Sequence, residues 1–211
     1  MTVKGPARIN GSLKVPGDKS ISHRVAMLAS IASGRSRING FATSADCHAT
    51  LNCIRQLGIA VEEDISAGLV INGNGLFGYG SPEPVVHLDV GNSGSTIRML
   101  SGILAGQRLT SEITGDASIR RRPMARIITP LGLMGAHIEA TSANFAPLTI
   151  HGRELRAINY LSPVASAQVK TCVLFAGLLA DGRTTFSEPV PSRNHTELML
   201  RVFGVNVDAS S

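Results

Sequence analysis

At 211 residues, with 43% hydrophobic and 17% charged residues, the chain can bury a real core as one large domain or two small ones, and its composition excludes a disordered chain. An excess of 20 Lys and Arg over 15 Asp and Glu points to anionic partners, but a 4% aromatic fraction with no Trp leaves few platforms for stacked bases. Small anions are therefore expected, and neither nucleic acid nor membrane. Cys47, Cys53 and Cys172 are sparse and lack zinc-type spacing, the longest apolar run is far too short to span a bilayer, and no charged-then-apolar leader opens the chain. A reduced cytoplasmic protein is expected.

In chain order, three stretches share one plan: LKVPGDKSISHRVAMLASIASGRSRING, LDVGNSGSTIRMLSGILAGQRLTSEITG and YLSPVASAQVKTCVLFAGLLADGRTTFSEP. Each reads as a short β-like run, a Ser/Gly-rich turn, an apolar helix, a glycine (Gly34, Gly106, Gly182) and a β-like exit. A second helix follows in each, ending at Leu57-Gly58, Met134-Gly135 and Phe203-Gly204. Those glycines suit the left-handed position that stops a helix before a strand. Further β-like pieces follow near Leu69 and Leu148, so the complete unit is βαβαββ.

The first helices, around MLASIAS, MLSGILAG and VLFAGLLA, carry no charged face. A helix that is apolar all round belongs in a core. The expected fold is thus an inside-out α/β lobe, with buried helices and outer sheets arranged about a pseudo-threefold axis that brings the helix starts to one end.

Chemistry gathers at those starts. They read Ser20-Ile21-Ser22-His23-Arg24, Asn92-Ser93-Gly94-Ser95-Thr96-Ile97-Arg98 and Ser166-Ala167-Gln168-Val169-Lys170. Ser and Asn can cap orphan N–H groups, the positive end of the dipole attracts anions, and Arg24, Arg98 and Lys170 lie about one turn inside. Before the second helices stand Arg120-Arg121-Arg122-Pro123, with Pro123 suited to a first helical turn, and Ser192-Arg193-Asn194-His195, with Ser192 or Asn194 as cap. Of the three arginines, Arg122 has the best-defined direction. Together these form an anion-binding face.

PGDKSISHR, GNSGSTIR, GDASIRRRPM, SAQVK and SRNHTE resemble, in order, the signatures of the 5-enolpyruvylshikimate-3-phosphate synthase family, over the N-terminal half of its members. The resemblance implies one lobe of a two-lobe enzyme, of the family that glyphosate targets, that moves the enolpyruvyl group of phosphoenolpyruvate to the 5-hydroxyl of shikimate 3-phosphate, with no cofactor and no metal. It assigns Lys19, Ser20, Arg24, Ser166, Ala167, Gln168 and Arg193 to shikimate 3-phosphate. Lys19, Asn92, Gly94, Arg122 and Gln168 go to phosphoenolpyruvate, and Lys19 is the catalytic candidate. The family's acid and base carboxylates belong to its C-terminal lobe, and Asp18 and Asp116 read as turn residues. Residues 1–16 are expected to pair with that C-terminal lobe, in the same or a separate chain. Residues 17–211 form the first lobe with its third repeat incomplete. Two alternatives stand beside this. One is a non-catalytic anion-binding half that needs a partner. The other is the sibling acting on a UDP-sugar, which carries Lys-Asn where this chain has Lys19-Ser20 and a loop Cys where it has Ala117.

Overall fold

A computed structural model describes Thr2, Gly5 and residues 10–13, 15–64 and 68–209. Half of the 1–16 segment lies outside the described residues.

The first unit contains α1 (Lys19–Ile31), β1 (Ser33–Ile38), α2 (Ala45–Gln56), β2 (Ala60–Asp64) and β3 (Gly68–Asn74). The second contains β4 (Val85–Asp89), α3 (Gly94–Ala105), β5 (Thr110–Thr114), α4 (Ala125–Leu133), β6 (His137–Glu139) and β7 (Leu148–His151). After the short β8 (Leu155–Arg156), the third contains β9 (Asn159–Leu161), α5 (Ala167–Leu178), β10 (Ala180–Asp181), β11 (Thr185–Ser187) and α6 (His195–Val202).

The second unit shows the whole plan. Its sheet runs β4-β5-β7-β6, with β4 parallel to β5 across the α3 crossover and the other pairs antiparallel. The first unit repeats the antiparallel part as β1-β3-β2, and the third repeats the parallel part as β9 with β11 across α5. In the first β-like run Leu13 and Val15 lie in no strand and are 85% and 71% exposed, and Lys14 lies outside the described residues. Residues 205–209 are not a strand either, because β2 and β6 each pair with the strand that follows them and no described strand lies against 205–209.

The three helix-ending glycines are where the repeat is most uniform. Gly58, Gly135 and Gly204 have φ of 84°, 93° and 82°. Each donates its N–H three residues back, and the next residue donates five back: Ile59 to Ile54, Ala136 to Leu131, Val205 to Leu200. Three identical Schellman caps turn three helices toward strand positions.

Layering follows the expected inversion. Every residue of α3 from Met99 to Ala105 is buried, as are Ala26–Ile31 of α1 and Thr171–Val173, Phe175 and Ala176 of α5. The sheets cover them with alternate residues inward, such as Val86 and Leu88 of β4 and Leu148 and Ile150 of β7. α3 and α5 approach so closely that a Cβ on Gly102 would collide with the Cys172 carbonyl.

Candidate anion-binding site

The first corner of the chain is built by Asp18, not by Ser20. Asp18 Oδ1 accepts from the Ile21 N–H at 2.8 Å and is the N-cap of α1, while Ser22 Oγ donates to the Asp18 carbonyl and accepts from the Ala42 N–H. Ser93 caps α3 and Ser166 caps α5. Asn92 is exposed beside its cap rather than forming it. Asn194 holds the N-cap position of α6 without a side-chain bond, and α4 begins at Ala125, so Pro123 precedes the helix instead of opening it. Asp116 does act as a turn residue, accepting from the Ser118 and Ile119 N–H groups.

Polar clamps hold the helix starts together. His23 and Arg24 are neighbours in sequence, so on a helix they point about 100° apart. His23 Nδ1 meets Thr50 Oγ1 at 2.7 Å, Thr50 meets Thr96 at 2.7 Å, and Thr96 donates to Ser93 Oγ at 2.6 Å, tying α1 to α2 and α3. Burial pushes the His23 imidazole down to about 4. Arg24, only 3% exposed, reaches the other way. Its Nε donates to Thr196 Oγ1 at 2.8 Å, and its terminal nitrogens donate to the Ser20 and Ala167 carbonyls and to Thr171 Oγ1, tying α1 to α5 and α6. Between α3 and α5, Arg98 donates to Gln168 Oε1 at 3.1 Å and Gln168 Nε2 donates to Ser95 Oγ at 3.0 Å.

The clamps surround a cleft of about 500 Å³ lined by Ser20, Arg24, Ser95, Ala165, Ser166, Ala167, Gln168, Pro191, Ser192 and Arg193. Six of the seven residues assigned by resemblance to shikimate 3-phosphate therefore share one cleft, although they come from the first and third units of the repeat. Arg193 crosses it to donate to Ser20 Oγ at 3.0 Å. Lys19 does not line it. Its ammonium lies on the adjacent surface, 2.8 Å from Asp46 Oδ2 at the start of α2.

Two more guanidinium groups converge beside the cleft. Arg122 Nη1 and Arg98 Nη1 both hang over Gly94, where a Cβ would lie 2.7 and 2.9 Å from them. Arg122 is steadied by Ser118 Oγ at 3.0 Å. Among the described residues, Arg24, Arg98, Arg122 and Arg193 have no carboxylate within 4.0 Å. Burial, and then the nearby Arg122 and Arg126, hold Arg98 below the ordinary arginine value. Burial also pushes Arg24 down to about 10, opposed by the Glu197 charge and reinforced by Arg193. Clustered cations that lack a directly paired carboxylate are relieved by a bound anion.

Lys170 does not belong to this face. It is buried, with ion pairs to Glu188 at 3.0 Å and Glu197 at 2.8 Å. Sequence reading missed Glu188, whose carboxylate frames the cleft. Oε2 accepts from the Ser166 N–H, and Oε1 accepts from the Ser192 N–H, the Ser192 hydroxyl and Lys170. Burial opposes its charge, but the Ser192 donors and the Lys170 ammonium outweigh that and hold the carboxyl below its usual range. The local signal was a Glu four residues before Ser192; its partners Ser166 and Lys170 are distant in sequence. Asp46, the partner of Lys19, was also missed, and only its place in a first helical turn marked it.

An inside-out α/β lobe whose capped helix starts and arginines meet at one cleft presents the donors that small phosphorylated or carboxylated anions require. A family model described as EPSP synthase (3-phosphoshikimate 1-carboxyvinyltransferase) matches residues 3–211, and the chain belongs to that family. A 3-phosphoshikimate 1-carboxyvinyltransferase of Solibacter usitatus (strain Ellin6076) is 58% identical over 204 residues, covering 97% of this chain and 47% of the relative. One of Thermoanaerobacter sp. (strain X514) is 51% identical over 208 residues, covering 99% and 48%. The solved EPSP synthase of Acinetobacter baumannii superposes with a TM-score of 0.89 at 44% identity, covering 95% of this chain and 45% of that one. The chain thus spans about half the length of the curated relatives it matches. Among the described residues no helix is long and apolar enough to cross a membrane.

Proposed function

We propose that this chain supplies the N-terminal half of a site that transfers the enolpyruvyl group of phosphoenolpyruvate to the 5-hydroxyl of shikimate 3-phosphate, releasing inorganic phosphate. The observation that carries the proposal is the convergence of Ser20, Arg24, Ser166, Ala167, Gln168 and Arg193 on one cleft, with Arg98 and Arg122 unpaired beside it. Shikimate 3-phosphate takes the cleft, where the start of α5 offers N–H groups and Arg193 a guanidinium fork. Phosphoenolpyruvate takes the neighbouring pocket over Gly94, gripped by Arg122 and reached by Gln168, with Asn92 at its edge. Each substrate carries a phosphate and a carboxylate, and the cationic cluster offsets the repulsion between them.

Lys19 immediately precedes the cleft residue Ser20, and Asp46 orients its ammonium. Its role is to stabilise charge, or to move a proton, as the methylene carbon of phosphoenolpyruvate is protonated, the substrate hydroxyl attacks and phosphate leaves. The remaining acid–base groups come from a C-terminal lobe. Ile21, Val164 and Val190 are 41%, 36% and 62% exposed and directly adjoin cleft residues in sequence, which supports an apolar rim against which such a lobe closes. A biosynthetic role of this kind fits a cytoplasmic protein.

Turnover assays on this chain, alone and with a C-terminal lobe from a relative, test the proposal. Activity should be absent alone and should rise with the amount of complex formed. Turnover by the purified chain without a companion, or none at any ratio of the two lobes, would overturn it.

A further inference from the structure

The outer face of the β4-β5-β7-β6 sheet carries a second group of chemically able side chains, on the side away from the helix layer. In the antiparallel register His137 of β6 stands directly opposite His151 of β7, and Glu139 stands one outward-facing position along β6. The two imidazoles stack with centroids 4.6 Å apart. Both aim Nε2 at the same carboxylate oxygen, His151 at 3.1 Å and His137 at 3.8 Å from Glu139 Oε1. One donor atom from each of the three lies within 4.8 Å of the others.

We infer that His137, Glu139 and His151 form a three-ligand site for a divalent transition cation, with Zn²⁺ the best fit. Donors bound at about 2.0–2.2 Å around a tetrahedral ion sit roughly 3.3–3.6 Å apart, so small side-chain rotations close this arrangement. Two imidazoles and one carboxylate suit Zn²⁺, Ni²⁺ or Cu²⁺ rather than Mg²⁺ or Ca²⁺, which prefer oxygen ligands alone. The fourth position faces solvent and takes water.

An outer partner is already in place. Thr110 of β5 is the register neighbour of His151 on its other side, and Thr110 Oγ1 lies 3.4 Å from His151 Nδ1. With the proton on Nδ1, His151 donates to Thr110 and presents the Nε2 lone pair to the ion. Without a metal, Nε2–H instead donates to Glu139. A bound ion joins β6, a three-residue strand at the edge of its sheet, to β7. It lies apart from the helix-start cleft, so its effect is on stability rather than on the reaction.

Calorimetric titration of the 211-residue chain with ZnCl₂ at about pH 7.5 tests this, because binding needs both imidazoles deprotonated and must weaken on acidification. The expected result is saturable binding of one ion and a rise in Tm. H137Q, H151Q and E139Q should each lose roughly 100-fold in affinity and Thr110→Val roughly tenfold, while His87→Gln on the same face stays unchanged. These side chains are partly or well exposed, so circular dichroism should show each variant folded. No saturable binding up to about 1 mM Zn²⁺, or His137 and His151 variants that bind like the parent, would overturn the site.

Discussion

Gly94→Ala is the smallest change that reaches the cationic end of the cleft. An added Cβ would stand 2.7 Å from Arg122 Nη1 and 2.9 Å from Arg98 Nη1, so the two tips must retreat by 0.7 and 0.5 Å to reach ordinary contact at 3.4 Å. The backbone has no objection. Gly94 is the first residue of α3 and does not occupy a positive φ, and alanine in a helix is no worse than glycine by about 0.5–1 kcal/mol in its favour. The cost therefore falls on ligand binding rather than folding. A charge-assisted hydrogen bond is worth roughly 1.5–3 kcal/mol, so misplacing one guanidinium tip should weaken phosphoenolpyruvate roughly 10- to 100-fold. Calorimetry with phosphoenolpyruvate, on parent and variant combined with a C-terminal lobe, measures the loss, and urea unfolding measures stability. An unchanged affinity, or a variant that loses stability instead of affinity, would refute the placement of the pocket over Gly94.

Burial holds His23 at about 4 in the folded chain against 6.5 for a free imidazole. Between those values the unfolded chain binds a proton that the native chain refuses, so this contribution is whole above about pH 6.5 and is lost on falling to pH 4, by roughly 3 kcal/mol. Urea unfolding of parent and His23→Gln should show a shallower acid loss in the variant, and parallel pH profiles would refute the buried neutral imidazole. Arg24→Ala removes a buried guanidinium that joins α1 to α5 and α6, so it should cost roughly 2 kcal/mol or more of stability as well as affinity. A variant that loses shikimate 3-phosphate at full stability would make Arg24 a pure ligand group. Glu188→Gln weakens the brace between Ser166, Ser192 and Lys170. It should lower stability by roughly 1–3 kcal/mol and loosen the cleft, read as a drop in Tm together with weaker shikimate 3-phosphate binding.

What could be read from the residues was local. A glycine that must be left-handed after a helix is a property of four or five consecutive residues, and all three such glycines hold the expected conformation. A helix without a charged face needs no knowledge of its neighbours to be assigned to the core. The errors came from partners distant in sequence. Lys170 looked like Arg24 and Arg98, but Glu188 and Glu197, 18 and 27 residues on, fold over it and neutralise it. Arg24 lines the cleft as expected, but the sequence did not show that most of its donors also go to Thr171, Thr196 and two carbonyls. Ser20 looked like a cap because Ser is a good one, but Asp18 stands one residue before the helix and takes the bond. The candidate strand at 205–209 failed for a different reason: an extended run becomes a strand only where a neighbour accepts its hydrogen bonds.

The central claim is that the cleft among the helix starts receives shikimate 3-phosphate. Calorimetric titration of that compound into the chain combined with a C-terminal lobe tests it most directly, with Arg193→Ala and Gln168→Ala alongside, because both side chains line the cleft without being buried in the core. The expected result is binding that is weak for the chain alone, tightens when the lobe is added, and falls roughly tenfold or more in each variant. Absence of binding to the two-lobe complex, or full affinity in both variants, would contradict the account.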